Sequence, residues 1–165
     1  MGIRDWLFGE RVGAVEKKPR SRSREQPSAA ATQPKRQYKA VDVAGTWDRA
    51  VVGDHHFPGV VDSLPFGPLK VTLRLKPNEA NPFAIAAYVG NRQVGWLATD
   101  WRADDPYVAW VTRLDSAGIR PRLSGLHKLT EVRREHIINF DVPSDRDEDL
   151  QALADTLIAE HQRQR

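Results

Sequence analysis

The run Asp54-His55-His56 holds residue types that could do metal chemistry. A carboxylate beside two imidazoles can bind a divalent cation, and a pair of such cations would support phosphoester hydrolysis. A two-metal site needs several further carboxylate ligands, however, and the other histidines, His127, His136 and His161, stand without an acidic metal-binding motif beside them. The sequence therefore favours a polar loop at the tandem histidines and predicts neither a metal ion nor another cofactor.

Signatures of other catalytic mechanisms are also missing from the 165 residues. There is no cysteine, which excludes disulfides and thiolate nucleophiles, and there is no Gly-rich phosphate loop or Gly-x-Ser-x-Gly elbow. The paired acids Asp104-Asp105 precede Pro106, a pattern typical of a helix N-terminus, where the helix dipole favours negative charge. We therefore predict a binding module without catalytic residues rather than an enzyme.

Aromatic and basic side chains together supply the ingredients of a single-stranded nucleic-acid site, because bases stack on aromatic rings while cations contact the phosphates. The aromatic candidates, with the tandem histidines, are His55, His56, Phe57, Phe83, Trp96 and Trp101. The basic candidates are Arg74, Lys76 and Arg92, and six Lys/Arg residues between Arg113 and Arg134. The alternative interpretation is that the aromatic rings pack in the core and the charges form a solvated face.

Alternating apolar and polar residues predict the strands that would position these groups. Val71, Leu73 and Leu75 alternate with polar residues, which is typical of a half-buried strand. Two β-rich runs within residues 81–97 flank Gly90-Asn91, a pair suited to a tight hairpin turn. Further strands are predicted over residues 51–53, 119–124 and 132–142.

Helical patterns lie between and after these strands. We expect a short helical turn over residues 60–64, and a helix that begins at residues 104–106 and stops before Gly118. A capping box over residues 144–147 precedes the apolar stripe of a final helix.

Short antiparallel strands with packed helices favour a small closed or partly open barrel. The predicted fold class is α+β, mainly β: an OB-like or SH3-like antiparallel β-barrel with two packed helices and a C-terminal helix. The predicted domains are a disordered basic arm over residues 1–40, the barrel over residues 41–143 and the C-terminal helix over residues 144–165.

The net charge of +3 conceals an uneven distribution along the chain. Residues 1–40 carry ten Lys/Arg against four Asp/Glu, a net charge of +6, whereas the remainder carries −3. Residues 11–40 offer too little apolar surface to offset the entropy of ordering, so we predict that they are disordered. Such a basic arm either adds nonspecific affinity for nucleic acid or serves as a solvated linker.

The hairpin carries a resemblance to a known family. Residues 84–97 are similar to the Ala-Val-x-Val-x-x-Gly-x-x-Val-Gly-Tyr-Leu core of the HIRAN domain, a small β-barrel module of DNA repair proteins that binds single-stranded DNA ends. Residues 51–57 resemble the opening strand and aromatic-rich loop of that family. Residues 71–78 resemble the strand before its Asn-Pro-Tyr/His-Asp-x-Asn-Ala motif. The resemblance covers about residues 49–143.

The resemblance also implies which side chains contact DNA. Asn78 matches the first Asn of the family motif, and Asn81 stands where the family has the Asp that helps recognise a 3′-hydroxyl. Ala80 stands where the family has Tyr or His, so recognition of a 3′-end is left open. We expect the aromatic members to stack on bases and the basic ones to contact phosphate or sugar. The implied nucleic-acid-binding residues are His55, His56, Phe57, Asn78, Asn81, Phe83, Arg92 and Trp96.

The function expected from these features is a non-catalytic HIRAN-like module that binds single-stranded DNA or DNA ends, in DNA repair or replication. The alternative is a protein-interaction adaptor on the same fold, which docks its partner through the apolar N-terminal residues 1–9 or through the C-terminal helix. No run of 18 apolar residues occurs, so no membrane span is predicted. The cysteine-free composition fits a cytoplasmic location.

Overall fold

The structure is a computed structural model and describes residues 37–100, 102–131 and 135–165. Residues 1–36 of the predicted basic arm, Trp101 and residues 132–134 lie outside that part of the chain, whereas residues 37–40 of the arm lie inside it and the first strand begins at Lys39. The strands are β1 (Lys39–Val43), β2 (Trp47–Val52), β3 (Gly67–Leu75), β4 (Ile85–Val89), β5 (Arg92–Leu97), β6 (Ile119–Leu129) and β7 (His136–Val142). The helices are α1 (Pro58–Val61), α2 (Pro106–Ser116) and α3 (Asp147–Arg163), with a 3₁₀ turn at Asp54–His56 before α1.

Six strands form a closed antiparallel barrel in the order β6-β3-β4-β5-β2-β7, and the pairing of β7 with β6 closes it. Closure satisfies the backbone hydrogen bonds that an open sheet would leave free at its edges. The remaining strand, β1, runs parallel to the first half of β6, from Lys39 opposite Ile119 to Val43 opposite Leu123. The predicted class, an α+β and mainly β fold built on a small antiparallel barrel, is confirmed.

The long strand β6 joins three neighbours. On one side its first half pairs with β1 and its second half with β7, while on the other side β3 pairs with residues 122–127. The predicted strand over residues 119–124 was therefore too short. Beyond Ser124 the residue that points inward is His127, which is almost fully buried, while Leu126 and Leu129 are exposed. Because a polar residue is buried here and apolar residues are exposed, the alternation of apolar and polar residues does not predict this half of the strand.

A β-bulge in β5 decides which way Trp96 points. Gln93 lies opposite Tyr88, but Gly95 lies opposite Ala87, so Val94 is an extra residue in the strand. Neighbouring residues in a strand alternate between faces, and an inserted residue reverses the alternation beyond it. Gln93 and Trp96 therefore both face the outside of the barrel, although they are an odd number of residues apart. Without the bulge, Trp96 would point into the core.

Helix α2 begins as predicted. The carboxylate of Asp105 accepts hydrogen bonds from the backbone N–H groups of Tyr107 at 2.8 Å and Val108 at 3.1 Å, so Asp105 is the N-cap. Gly118, at φ +78, follows its C-terminus in the left-handed conformation that ends many helices. The helix packs against β3, β6 and α3, with Trp110 and Leu114 fully buried.

The starts of the other two helices differ from the predictions. The predicted capping box is wrong, because α3 begins after Arg146, which caps it without a side-chain hydrogen bond. Ser144 instead accepts from the Arg146 N–H at 3.1 Å and donates to the Asp149 carboxylate at 2.9 Å. Helix α1 begins at Pro58, because the fixed φ of proline suits the first turn of a helix. Within the described part of the chain, no helix combines the length and apolarity needed to cross a membrane.

Candidate functional site

A groove of about 480 Å³ lies where β2 and β5 end and the connection between β3 and β4 folds over them. Its volume falls in the range of small-molecule sites, roughly 300–1,000 Å³, and its walls are mostly apolar. The lining residues are Val52, Gly53, His56, Phe57, Asn78, Ala80, Asn81, Ala84, Ile85, Trp96, Leu97 and Ala98. We call this surface the groove.

The aromatic wall of the groove is built around Trp96. This half-buried residue lies opposite Val52 of β2 and Ala86 of β4. Its indole ring runs along the backbone of Gly53, where an added Cβ would lie only 3.0 Å from the ring atom Cδ1. Phe57 follows directly after the 3₁₀ turn and adds a second aromatic ring to the same wall. The groove thus offers flat apolar surface for a planar ligand group.

Two side-chain amides form the polar wall. The Asn78 Oδ1 atom accepts the backbone N–H groups of Ala80 at 3.0 Å and Asn81 at 2.8 Å. The Asn81 Oδ1 atom accepts the N–H of Phe83 at 2.9 Å. Because a backbone N–H can only donate, these bonds fix the orientation of both amides. Among the described residues neither NH₂ group has a hydrogen-bond partner, so the two amides present donors to a ligand.

Three of the eight expected DNA-binding residues do not line the groove. Phe83 packs against the hydrophobic core. The Nη1 atom of Arg92 donates to Ser63 Oγ at 2.8 Å, and Arg92 lies roughly 13 Å along β5 from Trp96, at about 3.3 Å per residue. His55 faces a separate hollow beside Asp62. The structure brings the other five expected residues together in the groove: His56, Phe57, Asn78, Asn81 and Trp96.

A cationic surface adjoins the groove on the outside of the barrel. Strand register places Arg74, Ala86 and Trp96 side by side across β3, β4 and β5. The Arg74 guanidinium stacks on the Tyr88 ring with its Cζ atom 4.0 Å from the ring centre. Lys76 follows directly after β3 and lies beside Gln93 and Trp96. We call the outward side of β3, β4 and β6 the outer sheet face; sequence patterns predicted Arg74 and Lys76 as basic candidates but not what lies around them.

One ion pair on the outer sheet face strongly lowers the pKa of a carboxylate. Arg122 donates two hydrogen bonds to Asp42, at 2.9 Å and 2.6 Å, and the Nζ atom of Lys70 lies 3.4 Å from the same carboxylate. The hydrogen bond from Arg122, aided by Lys70, lowers the pKa of Asp42 to about 2. Arg122 and Lys70 therefore share one carboxylate, which offsets one of their two positive charges.

A histidine pair at the end of β6 was missed by the sequence analysis, which treated each histidine separately. His127 Nδ1 lies 3.1 Å from the carbonyl oxygen of Pro65, and His127 Nε2 lies 3.0 Å from His136 Nδ1. The carbonyl can only accept, so Nδ1 of His127 carries the hydrogen and Nε2 of a neutral ring accepts from His136. Phe66 stacks on His127. In the described ranges no three His, Asp or Glu side chains are arranged to hold a metal ion.

The geometry of the groove is the basis on which function can be argued. Comparison of the chain with protein-family models, with curated proteins and with solved structures finds no match. The resemblance of residues 49–143 to the HIRAN domain accordingly stays a proposal.

Proposed function

We propose that this protein is a non-catalytic, HIRAN-like module that binds single-stranded DNA and holds an unpaired base, or the base at a strand end, in the groove. The observation that carries the proposal is the pairing of an aromatic wall, Trp96 with Phe57, and two fixed amide donors, Asn78 and Asn81. Nucleobases present both a flat π-face and carbonyl acceptors at their edges.

The shape of the groove favours a single strand over a duplex. Bases inside a duplex are stacked and paired, so a side-wall of aromatic rings cannot reach their faces. An unpaired base can leave its stack, lie on Trp96 and accept a hydrogen bond from Asn78 or Asn81. Stacking tolerates every base because each has a π-face, so we expect weak sequence preference.

Binding of a fluorescently labelled oligodeoxynucleotide of about ten nucleotides, followed by anisotropy, tests the proposal. Stacking on an aromatic side chain is worth about 1–3 kcal/mol per base, so Trp96→Ala should weaken binding by roughly 5- to 150-fold. The matched control is Trp47→Ala. Trp47 is 52% exposed and begins β2, about 17 Å along the strand from Val52 at roughly 3.3 Å per residue.

The control should bind like the unaltered protein, and the blunt duplex of the same sequence should bind more weakly than the single strand. Equal affinities of the Trp96→Ala and Trp47→Ala variants would reject the groove as the base site. A complete lack of binding to the single strand would reject the function itself.

The burial of α3 does not favour the adaptor alternative, which would dock a partner through this helix or through residues 1–9. The apolar stripe of α3 faces inward, with Leu150, Ala154 and Leu157 buried against the rest of the domain. A partner helix would have to displace these contacts. The other expected element, residues 1–9, lies outside the described part of the chain.

A further inference from the structure

Two arginines on the outer sheet face lie beside each other without a carboxylate. The last β3–β6 pair is Thr72 opposite Arg122, and Arg74 and Arg120 are the next residues of the two strands whose side chains point outward. Burial lowers the pKa of Arg74, and the neighbouring charge of Arg120 lowers it further. Within the described ranges neither guanidinium forms a salt bridge. Their mutual repulsion is therefore not offset by an acidic partner.

Tyrosine rings hold both guanidinium groups in place. The Cζ atom of Arg120 lies 3.7 Å from the centre of the Tyr38 ring, and the Cζ atom of Arg74 lies 4.0 Å from that of Tyr88. The Tyr38 hydroxyl donates to Asp115 at 3.1 Å, which fixes the ring under Arg120. Stacking leaves the edge of a guanidinium, which carries its N–H donors, free to bind an oxyanion.

Most N–H donors of Arg74 and Arg120 have no hydrogen-bond partner among the described residues. Arg74 makes one hydrogen bond, from Nη2 to the carbonyl of Gly90 at 3.3 Å, and Arg120 makes none to the described residues. The Nε atoms of both arginines are buried without a partner among those residues. By contrast, Arg122 is engaged by Asp42 through two bonds. The basic groups of this face thus divide into Arg122 and Lys70, which share one carboxylate, and the unneutralised pair Arg74 and Arg120.

The unneutralised pair lies in line with the groove. Strand register places Arg74, Ala86 and Trp96 in one cross-strand row over β3, β4 and β5, and Arg120 of β6 lies on the other side of Arg74, just beyond the last β3–β6 pair. At about 4.8 Å between strands, the backbone distance from Arg120 to Trp96 is roughly 14 Å. Ala86, between Arg74 and Trp96, is small and is fully covered by its neighbours.

We propose that Arg74 and Arg120 form a phosphate-binding site that takes the phosphodiester backbone of a single strand as it leaves the groove. Planar guanidinium groups match the oxygens of a phosphate in two-point hydrogen bonding, and the phosphate relieves the repulsion between the two cations. This inference rests on the proposed function for the identity of the polymer. The assignment of a phosphate ligand depends only on the geometry of Arg74 and Arg120.

The salt dependence of binding counts phosphate contacts and therefore tests the pair. For single strands the slope of log K against log salt concentration changes by about 0.7 for each neutralised phosphate charge. The double variant Arg74→Gln/Arg120→Gln of the full chain should thus have a slope smaller in magnitude by roughly 1.4. The charge-matched control Arg102→Gln/Arg163→Gln, altered before α2 and in the last turn of α3, should keep the original slope.

An unchanged slope in the Arg74→Gln/Arg120→Gln variant would overturn the assignment of backbone phosphates to this pair, whatever the Trp96→Ala variant shows. Conversely, a reduced slope with no effect of Trp96→Ala would support the arginine site while the groove proposal fails. The conservative variant Arg74→Lys/Arg120→Lys keeps the charge but not the planar fork. Its slope of log K against log salt concentration should stay close to that of the unaltered protein, but its affinity should be lower.

A second measurement needs no oligonucleotide. Pyrophosphate should shift the side-chain NMR signals of Arg74 and Arg120 in a saturable manner, also in the Trp96→Ala variant, whereas the signal of Arg163 should stay in place. Absence of such shifts overturns the proposed phosphate site. Shifts with pyrophosphate, together with an unchanged oligonucleotide slope, would assign the site to a small phosphate anion and reject the backbone.

Discussion

The Nζ atom of Lys76, the residue directly after β3, lies 6.0 Å from the centre of the Trp96 ring on β5. This is within the range of cation–π attraction. The same ammonium donates to the Gln93 side-chain oxygen at 2.6 Å, which holds it on the outer side of the hairpin. A positive charge therefore stands at the junction between the groove and the outer sheet face.

Replacing Lys76 by methionine should weaken single-strand binding most at low salt. The substitution keeps the length of the side chain and removes its charge, so the slope of log K against log salt concentration should fall by about 0.7. Lys128→Met is the control, because Lys128 is exposed in the half of β6 that pairs with β7. Anisotropy titrations at several salt concentrations measure both slopes. Equal slopes for the two variants would show that Lys76 does not contact the phosphates of the bound strand.

Replacing Asn81 by aspartate should change which strand ends bind best. Asn81 uses its oxygen to accept the N–H of Phe83 and leaves an NH₂ donor for the ligand. A carboxylate would still accept that bond, but it would accept a second one from a 3′-hydroxyl and repel a 3′-phosphate. The affinity ratio of 3′-hydroxyl over 3′-phosphate oligonucleotides should rise several-fold.

Asn91→Asp adds the same charge in the exposed hairpin turn and should leave that ratio unchanged. A ratio that rises equally in both variants would show a general charge effect and count against Asn81 as a residue that contacts strand ends.

Replacing Gly95 by alanine should destabilise the barrel strongly. At φ +153, an added Cβ would lie 2.3 Å from Val51 Cγ1 and 2.6 Å from the carbonyl oxygen of Val52. Strain and overpacking together should cost about 3 kcal/mol in the free energy of unfolding, measured by urea denaturation. Gly90→Ala is the control: φ is +61, but no atom lies within 4 Å of the added Cβ. It should cost about 1 kcal/mol.

The carboxylate of Asp42 should titrate at an unusually low pH. Its pKa is about 2 in the folded protein, below the ordinary value of 3.8, chiefly because Arg122 donates to it. Since the folded pKa is depressed, the ion pair stabilises the protein above pH 3.8, and this contribution is lost as the pH falls towards 2. A carbon NMR titration should show the low value, and Arg122→Gln should move it back towards 3.8. Arg163→Gln should leave it unchanged; a normal pKa in the unaltered protein would contradict the ion pair.

Local sequence patterns predicted much of the fold. The alternation around Leu73, the hairpin at Gly90-Asn91 and the helix after Asp105 depend on neighbouring residues, and the structure has each of them. Strand β1 was not predicted, because it is held by parallel pairing with residues 119–123 rather than by an alternating pattern of its own. The bulge at Val94 was also beyond prediction, because it depends on the register with β4.

The candidate site was also predictable only where it depends on local sequence. The groove residues His56, Phe57 and Trp96 carry recognisable aromatic side chains in short runs. The donor role of the Asn78 amide depends on how the loop folds back to donate its backbone N–H groups. The pairing of Arg74 with Arg120 depends on the β3–β6 register, which no local pattern specifies.

The position of β6 among three partners has a kinetic consequence. The ion pair that joins β1 to β6 links residues 80 positions apart, and the barrel cannot close until β7 pairs with β2, where Asn139 donates to Asp48 from 91 positions away. Small proteins dominated by such distant contacts fold in roughly milliseconds to seconds, because a long chain segment must be ordered before the contacts form. The β4–β5 hairpin, whose turn is Gly90-Asn91, is joined most tightly and is expected to form first. Refolding should therefore be limited by the late docking of β6, and mutations at its partners should slow refolding more than mutations in the hairpin turn.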